Sequence, residues 1–317
     1  MTDARLLVDV GGTNVRFACA TGSGEIIEHR EWSVSGYSDF SDALGAYLAE
    51  TGGCGRYREA AIAAAGPLHR GAIALTNSSW RIETVDVSHR LGGAPTLLMN
   101  DLEAVALSLP YIPDKDLRWI GSRHAVPRKE KRMIAVNIGT GFGAATLLSS
   151  NGEWITVPSE AGHMALGAHN EAELNLFDGS RDRTRTVEEA LSGDGLPWLY
   201  AKVDSQAGVS ARLLETSYDI ISQCDEDPIA NETVRIMTIV LGRIAGNLAL
   251  SSAAWGGVYF CGSVAREWAA VSDAQLFRKH FEDKGKMSTE LHITPTALIT
   301  NDYPAFVGLT HAAVQTA

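Results

Sequence analysis

Two stretches of the chain share one pattern of hydrophobic and polar positions. Each has an apolar run, one polar residue, a glycine-rich turn and a second apolar run. They are LLVDVGGTNVRFACA at 6–20 and IAVNIGTGFGAATLL at 134–148. A shift of 128 positions lays Asp9 on Asn137 and Gly11 on Gly139. Short apolar runs joined by glycine turns are typical of β-hairpins, so the pattern predicts the same strand–turn–strand unit twice.

The rest of the chain alternates predicted helices with predicted strands. Apolar residues at helical spacing predict a helix over 39–50, capped by Ser38 or Ser41, and a second that begins at Asp101 and ends at Pro110. The other predicted elements are strands at 60–67, 71–77, 96–100 and 256–263, a hairpin turn at Asn151–Gly152 and a long helix at 231–254. This alternation predicts layered α/β domains with a boundary near residue 110.

The two glycine turns favour phosphate binding by β-hairpins. GTGFGA at 139–144 matches a dinucleotide fingerprint, but that fingerprint requires a helix, and the strand-like AATLLSSNGEWITV follows here. A GxxxxGK(S/T) loop does not occur in the chain. We therefore expect two phosphate cradles whose glycines allow positive φ, with Thr13, Asn14 and Thr140 as side-chain donors. A plain tight hairpin is the alternative for either turn alone.

Composition narrows the class of protein. The chain has 317 residues, 45% of them hydrophobic and 21% charged, as expected for about two folded domains. The net charge of −11 argues against nucleic acid as a partner, because a phosphate backbone requires a basic face. The four cysteines have no CxxC spacing, which suits a reducing compartment. The most apolar segment, 236–250, is too short to span a bilayer, so we expect a cytoplasmic chain with no membrane partner.

Six short motifs occur along the chain in a fixed order. They are DVGGTN at 9–14 with Arg16, LMND at 98–101, GTGFG at 139–143, SEAGH at 159–163, EEALSG at 188–193 and GGVYFCGS at 256–263. In this order they resemble the bacterial glucokinases, and the resemblance covers nearly the whole chain. The related ROK sugar kinases carry a cysteine cluster after the matching histidine. Because the chain has no cysteine between Cys54 and Cys224, the resemblance is to the non-ROK branch.

This resemblance implies a fold and an activity. The fold is the two-domain α/β actin-like ATPase (ribonuclease H-like) fold, with a cleft between a small and a large domain. The small domain would comprise 1–110 and the C-terminal segment 301–317, and the large domain 111–300. The activity is ATP-dependent phosphorylation of the 6-hydroxyl of glucose, with ATP and Mg²⁺. From the family we also expect a homodimer.

The resemblance further implies roles for individual residues. Asp101 is the general base, where a helix N-cap is the alternative, and we expect the ordinary aspartate pKa of about 3.9. The implied sugar contacts are Asn77, Asn100, Asp101, Glu160, His163 and Glu188. The implied ATP contacts are Asp9, Gly11, Gly12, Thr13, Asn14, Gly139, Thr140, Gly141, Gly256, Gly257 and Gly262. Asp9 would also organise Mg²⁺ indirectly, through water. Trp80 is expected to pack in the core.

Other functions fit parts of the pattern. A kinase for mannose, fructose or an amino sugar requires the same fold, and residue identities do not separate these sugars. A non-catalytic sugar-binding regulator is a second alternative. Because the first strand is predicted at about residue 5, we expect no N-terminal DNA-binding module. A third alternative is an ATPase that binds protein instead of sugar. It would not explain the presence of the implied sugar contacts, which are Asn100, Asp101, Glu160, His163 and Glu188.

Overall fold

The computed structural model describes residues 4–75, 78–121, 131–177, 185–208 and 213–314. Asn77, an implied sugar contact, lies outside these ranges. The chain divides into two compact units, of which the first comprises Met1–Ile112 and Asn301–Ala317 and the second comprises Pro113–Thr300.

Strands and helices alternate along both units. The strands are β1 (Ala4–Val10), β2 (Asn14–Ala20), β3 (Ile26–Ser33), β4 (Tyr57–Ala64), β5 (Leu68–His69), β6 (Ala72–Ala74), β7 (Arg81–Glu83), β8 (Thr96–Asn100), β9 (Leu117–Trp119), β10 (Met133–Ile138), β11 (Phe142–Ser150), β12 (Glu153–Ser159), β13 (Val258–Cys261) and β14 (Thr296–Ile299). The helices are α1 (Phe40–Glu50), α2 (Thr84–Arg90), α3 (Asp101–Ser108), α4 (Glu171–Phe177), α5 (Glu188–Leu191), α6 (Gly195–Ala207), α7 (Ser217–Ser222), α8 (Pro228–Ser252), α9 (Ser263–Val271), α10 (Ala274–Glu282), α11 (Ser288–Ile293) and α12 (Pro304–His311).

The first unit is built on a five-stranded sheet of order β3-β2-β1-β4-β8. Side chains alternate along β1, so both of its faces are buried. Leu6 and Val8 pack in a cluster with Phe40 of α1, whereas Leu7 packs with Phe306 of α12. β1, β4 and β8 are parallel, so β1 and β8 end at the same edge of the sheet. The first glycine turn and Asp101 both follow strands that end there.

The second unit repeats this arrangement in a six-stranded sheet of order β12-β11-β10-β13-β14-β9. As in the first unit, a hairpin of antiparallel strands, β10 and β11, is extended by a parallel strand, β13. The repeat explains the duplicated sequence pattern. The predicted hairpin turn between β11 and β12 is confirmed. Asn151 and Gly152 have φ of 53° and 83°, the left-handed values that a two-residue hairpin turn requires.

The two glycine turns differ in length by one residue. Val10 pairs with Val15 across the first turn, which leaves four residues between them, and Ile138 pairs with Phe142 across the second, which leaves three. A shift of 128 positions therefore superposes the incoming strands, whereas the outgoing strands need 127, from Val15 to Phe142. Backbone pairing sets this difference, and the hydrophobic pattern does not reveal it.

Helix α1 begins after a cap that the sequence did not identify. The Asp39 carboxylate accepts a hydrogen bond from the Asp42 N–H at 2.9 Å. The predicted caps, Ser38 and Ser41, are therefore wrong, because a carboxylate between them already accepts from an N–H group of the first turn. The expectation for Trp80 is confirmed, since it is 2% exposed and its ring contacts that of Phe40.

The long helix α8 forms the centre of the second unit. Among the described residues it is the one helix long and apolar enough to cross a membrane, but 67% of its apolar window is buried inside the protein, as in a core helix. The helix has 25 residues and is longer than the apolar segment 236–250, so its burial, and not its length, identifies it as a core helix. A Cβ on Gly242 or Gly246 would lie 2.5 Å from a carbonyl oxygen of Phe277 or Phe281, so both glycines allow α10 to pack closely.

Candidate active site

The first glycine turn, residues 11–14, follows β1 in the first unit. The Gly11 N–H donates to the Asn14 carbonyl at 2.9 Å, and the Thr13 carbonyl accepts from the Val34 N–H at 2.8 Å. Gly11 does not adopt positive φ, so that explanation for its glycine is wrong. A Cβ added to Gly11 would meet the Asn14 carbonyl oxygen at an ordinary 3.5 Å. Packing does not require glycine there, whereas a ligand that lies against the backbone does.

The second glycine turn, residues 139–141, follows β10 in the second unit. The Gly139 N–H donates to the Gly141 carbonyl at 3.0 Å, and the Gly193 N–H donates to the Gly139 carbonyl at 2.7 Å. Positive φ is again absent at Gly139 and Gly141. A Cβ on Gly139 would approach only the Asn137 side chain, at 3.7 Å or more, whereas a Cβ on Gly141 would lie 2.6 Å from a Glu188 oxygen. A Cβ on Gly141 would therefore displace the Glu188 carboxylate, whereas one on Gly139 would make only ordinary contacts.

Asp9 belongs to a network of charges across β1, β2 and β3. Arg16 lies 3.2 Å from the Asp9 carboxylate and donates to Glu31 at 2.9 Å. The Asn14 amide also donates to Glu31, at 2.9 Å, so this network engages a side chain expected to serve the turn. Burial raises the pKa of Asp9, and the charge of Arg16 opposes that rise.

Asn100 caps helix α3. Its Oδ1 accepts the Leu102 N–H at 3.0 Å, and the Glu103 carboxylate accepts the Asn100 N–H at 3.3 Å, which together form a capping box. The amide of Asn100 donates to the Gly66 carbonyl at 3.3 Å. The N-cap alternative for Asp101 is therefore wrong, because the residue before it fills that role.

Asp101 is the first residue of α3, directly after the end of β8. Its Oδ1 accepts the Leu102 N–H at 2.9 Å. Burial, and then the neighbouring charge of Asp9, raise the pKa of Asp101 to about 6. The expected ordinary value is therefore wrong, since the sequence does not reveal either cause. A carboxylate with this pKa is a stronger base near neutral pH than an exposed aspartate.

The Asp9 carboxylate suits a hard cation. Among the residues that the structure describes, no group of three or more His, Cys, Asp or Glu side chains could hold a metal ion. Mg²⁺ does not need such a group, because it keeps several of its own waters and binds through one or two carboxylates. The half-buried Asp9 carboxylate, whose pKa is raised by burial, fits such an ion, and its charge also raises the pKa of Asp101.

Glu160 precedes a short 3₁₀ turn that follows β12, and His163 is the last residue of that turn. Their side chains are 87% and 65% exposed, and the His163 Nε2 lies 3.9 Å from a Glu160 oxygen. The turn is limited to Ala161–His163. Both side chains are thus open to solvent and able to meet sugar hydroxyls.

Glu188 opens helix α5 and contacts the second glycine turn. Its Oε2 accepts the Phe142 N–H at 2.8 Å. Sequence reasoning missed this contact because the two residues lie far apart in the chain and in different motifs. Its neighbour Glu189 instead accepts the Thr186 N–H at 2.9 Å.

A cavity of about 390 Å³ adjoins the second glycine turn. Thr140 and Gly193 line it, together with Pro197, Thr216, Ser217 and Ser263. This volume is within the range of small-molecule pockets, about 300–1,000 Å³. Sequence reasoning missed Thr216 and Ser217, since they lie at the start of α7, where Thr216 is an ordinary helix cap.

A second cavity, of about 290 Å³, adjoins the first glycine turn. It is lined by Gly12 and Thr13 of the turn and by hydroxyl side chains on two other segments, among them Ser33, Ser35 and Ser78. Hydroxyl groups both donate and accept hydrogen bonds, so this lining suits neutral polar or anionic oxygen atoms.

Three of the implied ATP contacts, Gly256, Gly257 and Gly262, lie at the two ends of β13. Gly262 follows the strand, has φ of 98°, and a Cβ there would lie 2.5 Å from the Asn137 Oδ1, next to the second turn. Gly256 and Gly257 precede the strand, beside the start of β10, where the Gly256 N–H donates to the Arg132 carbonyl at 2.7 Å. Only Gly262 is on the same edge of the sheet as the second turn.

A glycine hairpin at the end of corresponding strands in two α/β units is the arrangement of the actin-like ATPase fold, which this chain shares with sugar kinases. The family model for glucokinase matches residues 6–316. The chain is 35% identical over 308 residues to the glucokinase of Chromobacterium violaceum, covering 96% of this chain and 88% of that protein. It is 34% identical over 322 residues to the glucokinase of Nitrobacter hamburgensis, covering 99% and 98%. A crystal structure of glucokinase from an Antarctic psychrotroph superposes with a TM-score of 0.87 at 26% identity, over 98% of each chain. The chain belongs to the glucokinase family.

Proposed function

We propose that this chain transfers the γ-phosphoryl group of ATP to the 6-hydroxyl of glucose, forming glucose 6-phosphate and ADP. The observation that carries the proposal is Asp101, a carboxylate at the end of a parallel strand with a pKa raised to about 6. Parallel strands of open α/β sheets present their ligands at this end. Membership in the glucokinase family supports the sugar and the phosphoryl donor.

Asp101 acts as the general base. As the bond between the sugar oxygen and the γ-phosphorus forms, the bond between that phosphorus and the bridging oxygen of ADP breaks. The proton of the 6-hydroxyl passes to the Asp101 carboxylate. Phosphoryl transfer proceeds through a loose transition state, so positioning and charge stabilisation supply most of the rate enhancement.

The glycine turns bind phosphate oxygens through backbone N–H groups. Space for a close ligand exists at Gly11 and Gly139, where an added Cβ would make only ordinary contacts with the protein. We place the nucleoside of ATP in the cavity beside the second turn, with Thr140 and Ser263 in its lining. Gly262 remains in this proposed site, whereas we leave out Gly256 and Gly257, because they lie at the other end of β13.

Mg²⁺ would be held by Asp9 through water. When bound, the ion supplies positive charge to the phosphate oxygens. Arg16 fixes the Asp9 carboxylate from one side, at 3.2 Å. The sugar hydroxyls are bound by Asn100, Asp101, Glu160, His163 and Glu188, with Asn77 as a further contact. We also propose that the enzyme is a cytoplasmic homodimer.

A coupled assay of ADP release over a panel of hexoses tests this proposal. With ATP and Mg²⁺, glucose is expected to give the highest kcat/KM, and mass spectrometry should detect stoichiometric glucose 6-phosphate. A higher kcat/KM for mannose, fructose or an amino sugar would replace glucose as the substrate. ADP release without any sugar phosphate would refute the kinase assignment.

The pH dependence of turnover follows from the pKa of Asp101. The base must be ionised to accept a proton, so kcat/KM is expected to fall about tenfold per pH unit below about pH 6. The raised pKa of Asp9 acts in the same direction, because its protonation removes a charge that attracts Mg²⁺. A profile measured from about pH 5 to about pH 8 at saturating ATP checks this. A flat profile would contradict the assignment of Asp101.

Substitution of Gly11 tests the first phosphate cradle. In Gly11→Ala the added Cβ has room within the protein, so the melting temperature should stay unchanged. The methyl group would occupy space next to the turn N–H groups, and KM for ATP is expected to rise about tenfold or more, equivalent to losing about 1.4 kcal/mol of binding. Gly55→Ala is the matched control, since nothing lies within 4 Å of a Cβ there. An unchanged KM for ATP would remove Gly11 from the site.

A further inference from the structure

Glu188, the first residue of α5, is hydrogen-bonded to the residue that follows the second glycine turn. Its Oε2 accepts the N–H of Phe142, the first residue after the turn, at 2.8 Å. A Cβ on Gly141 would lie 2.6 Å from the same oxygen. The carboxylate therefore occupies the space next to the turn, and a Cβ on Gly141 would displace it. A hydrogen bond from an N–H to a charged carboxylate is stronger than one to a neutral acceptor.

The loop between Glu160 and His163 contacts the same residue from its other side. A Cβ on Gly162 would overlap the Phe142 carbonyl oxygen and would lie 3.4 Å from the Cβ of Glu188. Phe142 thus donates its N–H to Glu188 and packs its carbonyl against the loop that contains Gly162. Glu188 is consequently hydrogen-bonded to Phe142, and the loop that carries Glu160 and His163 packs against the same residue through Gly162.

The two oxygens of Glu188 have different surroundings. Oε2 is engaged by Phe142, whereas Oε1 makes no hydrogen bond to any residue that the structure describes. An ionised carboxylate accepts several hydrogen bonds, so Oε1 is able to accept one from a sugar hydroxyl while Oε2 keeps its bond to the turn.

We propose that Glu188 couples sugar binding to ATP binding within the second unit. Oε1 accepts a glucose hydroxyl and Oε2 positions the Phe142 N–H, so bound sugar holds the carboxylate in one rotamer and orders residues 139–142. An ordered turn binds phosphate without a further loss of conformational entropy, which raises the affinity for ATP. Thermodynamic linkage requires that ATP raise the affinity for glucose by the same factor. This inference rests on the proposed function.

Calorimetric titration of glucose, with and without saturating Mg²⁺ and a non-hydrolysable ATP analogue, tests the coupling. In the wild type the analogue is expected to lower the Kd for glucose by about 5- to 100-fold. In Glu188→Gln that ratio should fall to within about twofold of one, because glutamine has a single oxygen: while it accepts the Phe142 N–H, an NH₂ group replaces Oε1 as the acceptor for the sugar. Glu160→Gln should weaken glucose binding and keep the wild-type ratio, since its side chain is 87% exposed and lies beside His163.

Glu189→Gln is the matched control. It removes a charge from the next residue, whose carboxylate accepts the Thr186 N–H instead of the turn, so both the Kd and the ratio should equal those of the wild type. A wild-type ratio in Glu188→Gln would overturn the coupling. So would a ratio of one in a wild-type enzyme that phosphorylates glucose, while the proposed function would stand. Failure to form glucose 6-phosphate would instead refute the proposed function.

Amide hydrogen exchange on the wild type gives a second test that needs no variant. Glucose alone, without nucleotide, is expected to slow exchange several-fold in a peptide that covers residues 139–142. Glu188→Gln should abolish this protection and keep the protection of α8, which reports the integrity of the core. Exchange in 139–142 that does not respond to glucose in the wild type would overturn the inference.

Discussion

Asp101→Asn is expected to lower kcat by about 10²- to 10⁴-fold, the usual contribution of a positioned general base. Asparagine has nearly the shape of aspartate and keeps an oxygen able to accept the Leu102 N–H, now at 2.9 Å. It cannot take the proton of a sugar hydroxyl. The Kd for glucose should therefore change by less than about tenfold, because only the chemical step loses its acceptor. Steady-state kinetics and calorimetry on the same preparations measure the two effects.

Glu103→Gln separates catalysis from helix capping. Glu103 accepts the Asn100 N–H at 3.3 Å in the capping box of α3, and glutamine keeps an acceptor in that place. We expect kcat within about twofold of the wild type, since this residue supports the cap and does not take a proton. Similar losses of kcat in both variants would show that Asp101 acts by holding α3.

Asp101→Asn should also make the apoprotein more stable. Burial raises the pKa of Asp101 above the value of about 3.9 expected in the unfolded chain, so folding favours the protonated form. The resulting stability is present below about pH 4 and is lost as the pH rises through about 6. At neutral pH Asp101→Asn removes this unfavourable ionisation. Because Asp101 is partly exposed, we expect the free energy of unfolding to rise by about 1 kcal/mol. This corresponds to an increase in Tm of about 2–4 °C. An inactive but more stable variant is the result expected for a functional carboxylate held at a cost in stability.

The duplicated hairpins were predictable because strand pairing leaves a local signal. The apolar runs, the glycine turns and the Asn151–Gly152 turn each occupy a few consecutive residues, and local sequence determines their backbone. The one-residue difference between the glycine turns was not predictable. It depends on which residues pair across each hairpin, Val10 with Val15 and Ile138 with Phe142, and the apolar pattern fits either length.

The chemistry of the site depended on contacts between distant parts of the chain. The pKa of Asp101, at the start of α3, rises partly because of the charge of Asp9 on β1. Glu188 reaches the second turn through α5, and the cavity beside that turn takes part of its lining from the start of α7. Motifs identified which residues carry chemistry, but only the packed structure shows which of them share a hydrogen bond or a charge.

Gly308→Ala is expected to destabilise the first unit and slow catalysis. Gly308 lies where α12 crosses α3, and a Cβ there would overlap the carbonyl oxygen of Ala104. Helix propensity alone favours alanine by about 1 kcal/mol, so any loss of stability reports the overlap. Overpacking of this kind costs about 3 kcal/mol, which leaves a net loss of about 2 kcal/mol and a Tm lower by about 4–8 °C.

The kcat of Gly308→Ala should fall because Asp101 is the first residue of α3, the helix that Gly308 packs against. The side chain of Arg5 donates to the carbonyls of Leu309 and Ala312, at 2.6 and 2.8 Å, which fixes the end of α12 and leaves α3 as the element that must move. A displaced base loses its alignment with the sugar hydroxyl, and about tenfold in kcat is expected for a shift of a few tenths of an ångström.

Thermal unfolding and steady-state kinetics of Gly308→Ala, compared with Gly55→Ala, check this prediction. Gly55 lies in the same unit, has no atom within 4 Å of an added Cβ and does not adopt positive φ, so its variant should match the wild type in both measurements. If Gly308→Ala unfolds at the same temperature as the control, α12 and α3 do not pack as closely as the structure shows. If it is less stable but fully active, the position of Asp101 does not depend on the contact between these helices.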